Sequence, residues 1–246
     1  MKKLIAYPVS IVYYLLFGLI LVIFHPVQWL CFNLSGYEAH KKSVDALLFL
    51  LVANTYLLGT KYKIRNRDKL PIGVPLIIVA NHQSLYDIST IGWFLRKAHP
   101  KYISKIELGK GIPSISYNLK HGGSALIDRK NPKQSLSAIK EMAQYIEAKK
   151  RSTVIFPEGT RSKTGQPKPF ADNGLKILCK YAPSACLVPV TINNSWRITK
   201  WGAFPLSLGN KIELILHNPV PVKDMPFSDI FKQTEQTVIR AVNNIN

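Results

Sequence analysis

The feature that most constrains this chain is an uncharged apolar run close to its N-terminal end. Residues 4–24, LIAYPVSIVYYLLFGLILVIF, contain no charged side chain. Their length matches the roughly 20 residues that a helix needs to cross the hydrocarbon core of a bilayer. A secretory signal peptide is the competing interpretation, but no small-x-small cleavage site follows the run. The run therefore predicts a membrane-associated helix.

A second apolar stretch, residues 44–59, is shorter than a full membrane span. A turn predicted at Ser35 and Gly36 separates it from the first run, so we expect a two-helix hairpin in residues 1–60. The hairpin either spans the membrane or lies within one leaflet. Lysines flank it on both sides, which places both ends on one face of the membrane: Lys2, Lys3, Lys61 and Lys63. The alternative is a pair of core helices in a soluble domain.

The strong positive charge of the chain requires an anionic partner. The formal net charge is +19, which suits nucleic acid, an anionic lipid surface, or a phosphorylated substrate with an acidic carrier. The apolar N-terminal region favours the membrane surface, and we expect no nucleic-acid partner. The three cysteines, Cys31, Cys179 and Cys186, form no C-x-x-C pair, so neither a disulfide framework nor a zinc site is indicated.

From residue 61 onward the sequence has the pattern of a soluble α/β domain. Runs rich in β-branched residues predict strands at 75–80, 124–128, 152–156, 187–192 and 212–216. Amphipathic stretches predict helices at 86–97, 133–150, 173–182 and 227–244. Because strands alternate with helices, we expect a mostly parallel sheet flanked by helices, in a single catalytic domain at 61–246.

His82 and Asp87 stand directly after the first of these predicted strands, in NHQSLYD. Ligands of open α/β sheets usually bind at the carboxyl ends of the strands. A turn entering a helix can bring the carboxylate back to the imidazole, where it accepts a hydrogen bond and leaves the other ring nitrogen free as a base. Taken alone, the H-x₄-D pattern is also compatible with a loop histidine and an unrelated aspartate.

Two further segments follow strand ends. In FPEGTRS, Arg161 offers a planar fork suited to phosphate, while Glu158 is either its ion-pair partner or a ligand for a substrate hydroxyl. In GGSALIDR, Arg129 either joins Arg161 at the same rim of a parallel sheet or pairs locally with Asp128. Lys105, in SKIELGK, is a weaker candidate of the same kind.

The blocks NHQSLYD, GGSALIDR, FPEGTRS and LVPVTI occur in this order over roughly residues 60–220. This ordered set resembles the signature blocks of the glycerolipid acyltransferases of the PlsC type, the 1-acyl-glycerol-3-phosphate acyltransferases. The resemblance implies an enzyme of phospholipid biosynthesis that transfers a fatty acyl group from acyl-CoA or acyl-carrier protein to a lysophosphatidate hydroxyl. It implies His82 as general base and Asp87 as the group that holds its tautomer, with no metal and no cofactor.

Carried over position by position, the resemblance also implies an acceptor site. Arg161 and Arg129 would hold the acceptor phosphate, with Lys105 as a helper. Glu158 and Gly159 would shape the acceptor site. The block around Val188 and Pro189 would form part of the pocket wall.

The chain departs from many relatives after FPEGTRS, where PFADNG replaces a basic, glycine-containing stretch. Gln166, Lys168 and Asn173 could therefore serve another lysolipid head group. Two alternatives stay open: an acyltransferase for another lysolipid, and a non-catalytic phospholipid-binding membrane protein. We expect association with the cytoplasmic membrane and a catalytic domain that faces the cytoplasm.

Overall fold

The structure is a computed structural model, and it describes residues 2–242. An eight-stranded sheet forms its centre, with strands β1 (Lys61–Arg65), β2 (Leu76–Ala80), β3 (Pro100–Lys105), β4 (Ala125–Ile127), β5 (Ser152–Ile155), β6 (Cys186–Asn193), β7 (Lys211–Leu216) and β8 (Val220–Pro221). The strand order is β1-β7-β6-β2-β5-β3-β4, and β8 pairs with the start of β6 on the side opposite β2.

The five strands from β6 to β4 in this order run parallel, whereas β7 is antiparallel to β6 and parallel to β1. The sheet is thus mostly parallel, which confirms the predicted fold class and the five predicted strands. β1, β3 and β8 were not predicted. In β1, KYKIR, only two of the five side chains are even half-buried, so the strand lacks a long apolar run.

Five helices accompany the sheet strands, and the amphipathic pattern predicts four of them. They are α2 (Tyr86–Phe94), α3 (Ile115–His121), α4 (Pro132–Lys149), α5 (Asn173–Tyr181) and α6 (Phe227–Arg240). α4 begins at Pro132 because the Asn131 side chain accepts a hydrogen bond from the Gln134 amide, and it buries Ile139 and Ile146. α6 ends at Arg240, earlier than the predicted 244, and residues 243 and 244 lie outside the described range. α3 was not predicted.

Side-chain alternation along β2 divides the core into two layers. Ile78 belongs to a cluster that includes Tyr13 and Leu95, so this face of the sheet is covered by the N-terminal helix and α2. Ile77 belongs to a second cluster with Ile146 of α4, which also contains residues of α5 and α6. All five side chains of β2 are buried, as expected for a central parallel strand.

The N-terminal region is one long helical element, α1 (Lys2–Asn54), and the prediction of two separate helices is wrong in this respect. Only Gly36 has non-helical angles within it (φ 73°, ψ −162°), so a single-residue kink replaces the predicted turn. Glycine allows this kink because it has no Cβ to oppose a positive φ. The parts of α1 on either side of Gly36 contact each other, since the Asn54 side chain donates to the Tyr13 carbonyl at 3.1 Å.

By length and composition, Lys2–Leu58 is one helical segment apolar enough to cross a membrane. Only 17% of its most apolar stretch is buried in the protein. Large apolar side chains such as Leu4 and Leu15 are 73% and 69% exposed. An exposed apolar surface of this length fits membrane association better than it fits a soluble core helix.

Candidate active site

The loop that follows β2 is held in place from two directions. Asn81 accepts from the Ile192 amide at 2.7 Å and donates to the Ile192 carbonyl at 2.8 Å, which ties the end of β2 to β6. The Ser84 hydroxyl accepts from the Tyr86 amide at 3.1 Å and satisfies a free N–H at the start of α2. His82 therefore lies at the carboxyl edge of the sheet, between two fixed points.

Within this loop His82 and Asp87 form the predicted pair. His82 Nδ1 lies 2.8 Å from Asp87 Oδ2, and within residues 2–242 the Nε2 atom has no hydrogen-bond partner. The ring of His82 stacks on Phe156 at a centroid distance of 4.1 Å and an interplanar angle of 19°. The carboxylate and the aromatic ring thus fix the imidazole in one orientation, with one nitrogen open as a base.

Asp87 is completely buried and surrounded by donors. Besides the imidazole, Oδ2 accepts from the Gln83 and Ser84 amides at 2.7 and 2.8 Å. Its other oxygen, Oδ1, accepts from the Ser195 hydroxyl at 2.5 Å. Four donors to one carboxylate satisfy both of its oxygens and leave it no freedom to rotate.

The FPEGTRS segment follows β5, the neighbour of β2 in the sheet. Glu158 Oε1 accepts from the His82 amide at 2.7 Å, and Oε2 accepts from the Lys168 amide at 2.8 Å. Burial raises the pKa of this carboxyl, although the two amide donors and the charges of His82 and Lys168 oppose the rise. Within the described part of the chain Glu158 makes no ion pair with Arg161; it links the two motif loops through their backbones. Gly159, with φ 67°, is exposed at the turn.

The predicted cationic residues lie along the same edge. Four parallel strands are neighbours in the order β2, β5, β3 and β4, spaced about 4.8 Å apart. The segments that end these strands carry, in the same order, His82, Arg161, Lys105 and Arg129. All three cationic side chains are exposed. In residues 2–242 none of them has an ion-pair partner, and Asp128 instead accepts from the Lys130 amide at 2.9 Å. The alternative interpretation of Arg129, a local pair with Asp128, is therefore not found among residues 2–242.

Three residues around the pair were missed by sequence reasoning. Ser195 holds Asp87, and Phe156 stacks on His82. Gln83 joins three segments, because its amide donates to the Gly165 carbonyl at 3.1 Å and accepts from the Ser195 amide at 3.1 Å. Gln83 lies inside NHQSLYD and Phe156 inside FPEGTRS, so both motifs included these positions without indicating their roles. Ser195 follows the LVPVTI block by three residues and carries no pattern of its own.

The remaining predicted residues have mixed surroundings. Val188 and Pro189 lie in β6, in register with Ile78 and Val79, and Val188 is fully buried. Lys168 Nζ donates to the Thr160 hydroxyl at 2.7 Å, so this lysine is engaged within its own loop. Within the described range no three His, Cys, Asp or Glu side chains are grouped in a way that could hold a metal ion.

Comparison with known proteins gives consistent results. The sequence model of the Acyltransferase family matches residues 61–193. A chloroplastic 1-acyl-sn-glycerol-3-phosphate acyltransferase of Brassica napus is 30% identical over 161 residues, which cover 65% of this chain and 45% of that protein. An enzyme of the same name from Helicobacter pylori is 37% identical over 127 residues, 48% of this chain and 51% of the relative. The chain thus spans about half the length of these curated relatives.

The fold has a close match among solved structures. The crystal structure of the 1-acyl-sn-glycerophosphate acyltransferase PlsC from Thermotoga maritima superposes with a TM-score of 0.81 at 24% identity, and the match covers 98% of this chain and 95% of that one. At this identity the match shows the shared fold. The matched family region contains the His82–Asp87 pair, the Glu158 link and the exposed cations. The chain therefore belongs to the Acyltransferase family and has a PlsC-like fold.

Proposed function

We propose that this protein transfers a fatty acyl group from an acyl thioester to the free hydroxyl of 1-acyl-glycerol-3-phosphate. The observation that carries the proposal is the His82–Asp87 pair at 2.8 Å, with an unpartnered Nε2 at the carboxyl edge of the sheet. The names of the curated relatives support the same reaction. The catalytic unit is residues 61–246, and residues 1–60 hold it at the membrane.

In this reaction His82 Nε2 accepts the proton of the acceptor hydroxyl as that oxygen attacks the thioester carbonyl. Asp87 stabilises the imidazolium that forms, because its carboxylate lies against Nδ1. The tetrahedral intermediate collapses as its C–S bond breaks, and the thiolate that leaves takes the proton from Nε2. The acyl group moves directly to the acceptor, without an acyl-enzyme and without a metal or cofactor. The donor is acyl-CoA or acyl-carrier protein.

Exposed cations provide the acceptor site in this proposal. Arg161, Arg129 and Lys105 bind the phosphate of the acceptor, which lies beside the hydroxyl that reacts. Because these side chains have no internal ion partner in the described chain, they are free to bind a phosphomonoester. Gly159 lets the backbone of the turn approach the ligand, while Glu158 holds the turn against His82.

The test is a release assay on detergent-purified full-length protein. A thiol reagent follows free CoA from acyl-CoA, with and without lysophosphatidate, and a parallel assay uses acyl-carrier protein. We expect release that depends on the acceptor, and loss of at least 99% of it in His82→Ala. His121→Ala, which changes an exposed histidine of α3, is the matched control. More than a tenth of the activity in His82→Ala would refute the assigned base.

Acceptor identity is tested separately. Losing a charge-assisted contact to phosphate costs about 1.5–3 kcal/mol, so Arg161→Ala should raise KM for lysophosphatidate roughly 10- to 150-fold. The effect on an uncharged monoacylglycerol acceptor should be small. Arg67→Ala, an exposed arginine after β1, is the control. Equal effects on both acceptors would show that the arginine does not bind the phosphate.

We place the enzyme on the cytoplasmic membrane with its catalytic domain in the cytoplasm.

A further inference from the structure

A loop at the active-site edge shares its surface with α1. Residues 200–205, KWGAFP, follow the short 3₁₀ helix Ser195–Thr199 that comes after β6. We propose that this loop is a second membrane-contact element, whose partner is an anionic phospholipid surface. The proposal rests on the membrane association included in the proposed function, but it concerns a different segment of the chain.

The loop is attached directly to the first part of α1. The Tyr14 hydroxyl donates to the Ala203 carbonyl, and the Leu206 amide donates to the Ser10 hydroxyl at 2.9 Å. The ring of Phe204 contacts that of Tyr7 at a centroid distance of 5.5 Å. Because Tyr7, Ser10 and Tyr14 recur at helical spacing, one face of α1 holds the loop. The loop and the helix therefore present one surface.

This shared surface is apolar and exposed. Phe204 is 47% exposed, and Gly202 and Ala203 beside it are exposed as well. On α1, Ile11 lies between the two tyrosines that contact Phe204 and is 52% exposed. A continuous apolar surface that joins a long lipid-seeking helix has one compatible neighbour, which is the bilayer that the helix itself enters. Aromatic rings such as Trp201 and Phe204 are typical of the level of the lipid head groups.

Exposed cations also lie at this edge of the sheet. Lys61 and Lys211 are register partners at the starts of β1 and β7, and both are exposed. Like charges on adjacent strands, about 4.8 Å apart, repel each other. Glu213 pairs with Arg65 at 2.6 Å, but no carboxylate in the described chain pairs with these two lysines. An anionic lipid surface would relieve this repulsion, and Lys200 adds a third positive charge.

The position of the loop relates it to the active site. The 3₁₀ helix that leads into it begins at Ser195, whose hydroxyl holds Asp87. The Ser207 hydroxyl donates to the Arg197 carbonyl at 2.5 Å, which ties the end of the loop back to that helix. Contact between the loop and the bilayer therefore places the carboxyl edge of the sheet, with His82, beside the head groups from which a lipid acceptor comes.

Fluorescence quenching by brominated lipid tests the contact without any measurement of activity. The full chain is placed in nanodiscs of phosphatidylglycerol and phosphatidylcholine, with plain or brominated acyl chains. The emission of Trp201 is obtained by subtracting the fluorescence of Trp201→Phe from that of the wild type. The emission of Trp29, which is 51% exposed on α1, is obtained in the same way with Trp29→Phe. We expect brominated chains to reduce both emissions at least twofold.

Quenching of Trp29 without quenching of Trp201 would overturn the proposal while leaving membrane contact by α1 intact. Absence of both would overturn membrane contact altogether, whereas acyl transfer is decided by the release assay.

A second pair of variants checks the surface. Phe204→Glu should at least halve the quenching of Trp201, whereas Leu136→Glu, which changes a 43% exposed residue of α4, should leave it unchanged. Equal quenching in Phe204→Glu and wild type would also refute the proposed contact.

Discussion

Replacing Asp87 with asparagine separates the charge of the carboxylate from its shape. The asparagine oxygen can accept the three hydrogen bonds now made to Oδ2, from His82 Nδ1 and two backbone amides. Its amide nitrogen can donate to the Ser195 hydroxyl, which is both donor and acceptor. The fold and the imidazole tautomer are thus retained, and the variant removes only the negative charge that would face the imidazolium formed in the proposed proton transfer.

The size of the loss follows from the distance. Charge centres about 4 Å apart interact by about 4 kcal/mol at an effective dielectric constant near 20. Proton transfer is incomplete in the transition state, so we expect about 2–4 kcal/mol, or roughly 30- to 1000-fold in kcat. The assay is acceptor-dependent release of CoA at saturating lysophosphatidate, with melting temperature as the check on folding.

Asp128→Asn is the matched control, since this carboxylate also follows a strand end but accepts only from a local amide. It should retain kcat within about twofold. The reasoning would be refuted by a loss of less than fivefold in Asp87→Asn at an unchanged melting temperature. It would equally be refuted if the two asparagine variants lost the same activity.

Three further predictions concern groups around the site and the sheet. Ser195→Ala removes a hydrogen bond to a buried carboxylate, worth about 1.5–3 kcal/mol, and should lower kcat at least about tenfold. Ser195→Thr should recover part of the lost kcat. Unchanged kcat in the alanine variant would exclude a positioning role. Burial, with the charges of neighbouring cations, lowers the pKa of Lys101 to about 7. The unfolded chain therefore binds more protons than the folded chain between pH 7 and about 10, so the free energy of unfolding should rise with pH across this window. Lys101→Met should abolish the accompanying rise in melting temperature, whereas Lys97→Met should not. Gly165→Ala should destabilise the fold by about 1–3 kcal/mol in chemical unfolding, because φ is +82° and a Cβ would lie 2.2 Å from the Trp196 indole nitrogen; an unchanged midpoint would refute the predicted clash.

The central sheet and the His82–Asp87 pair could be predicted from sequence because both depend on short-range patterns. A buried parallel strand such as β2 is a continuous apolar run, and His82 and Asp87 are only five positions apart at its end. Ser195 could not be predicted, since its contact with Asp87 spans 108 positions and serine is common in any loop. Glu158 differs again: its position was identified, but backbone donors occupy both of its oxygens, and no pattern of side chains encodes that.

The N-terminal region shows the limit of apolar patterns in another way. Hydropathy located the two apolar stretches of α1, and the position of Gly36 located the break between them. Whether one glycine or a longer turn separates them depends on the contacts that close the kink, such as that of Asn54 with Tyr13. β1 was missed because a strand at the sheet edge alternates half-buried and exposed residues and is short.

The pairing of β1 with β7 has a consequence for biosynthesis. β1 begins at Lys61, one short 3₁₀ helix after the end of α1, yet its one neighbour in the sheet is β7, about 150 residues later in the chain. At roughly 5–20 residues per second, a ribosome needs about 8–30 s to supply that partner. During this interval the apolar helix is already outside the ribosome, while the sheet edge beside it is still open. Contact of α1 with a bilayer can therefore precede the pairing of β1 with β7, in which case this edge of the sheet would form at the membrane.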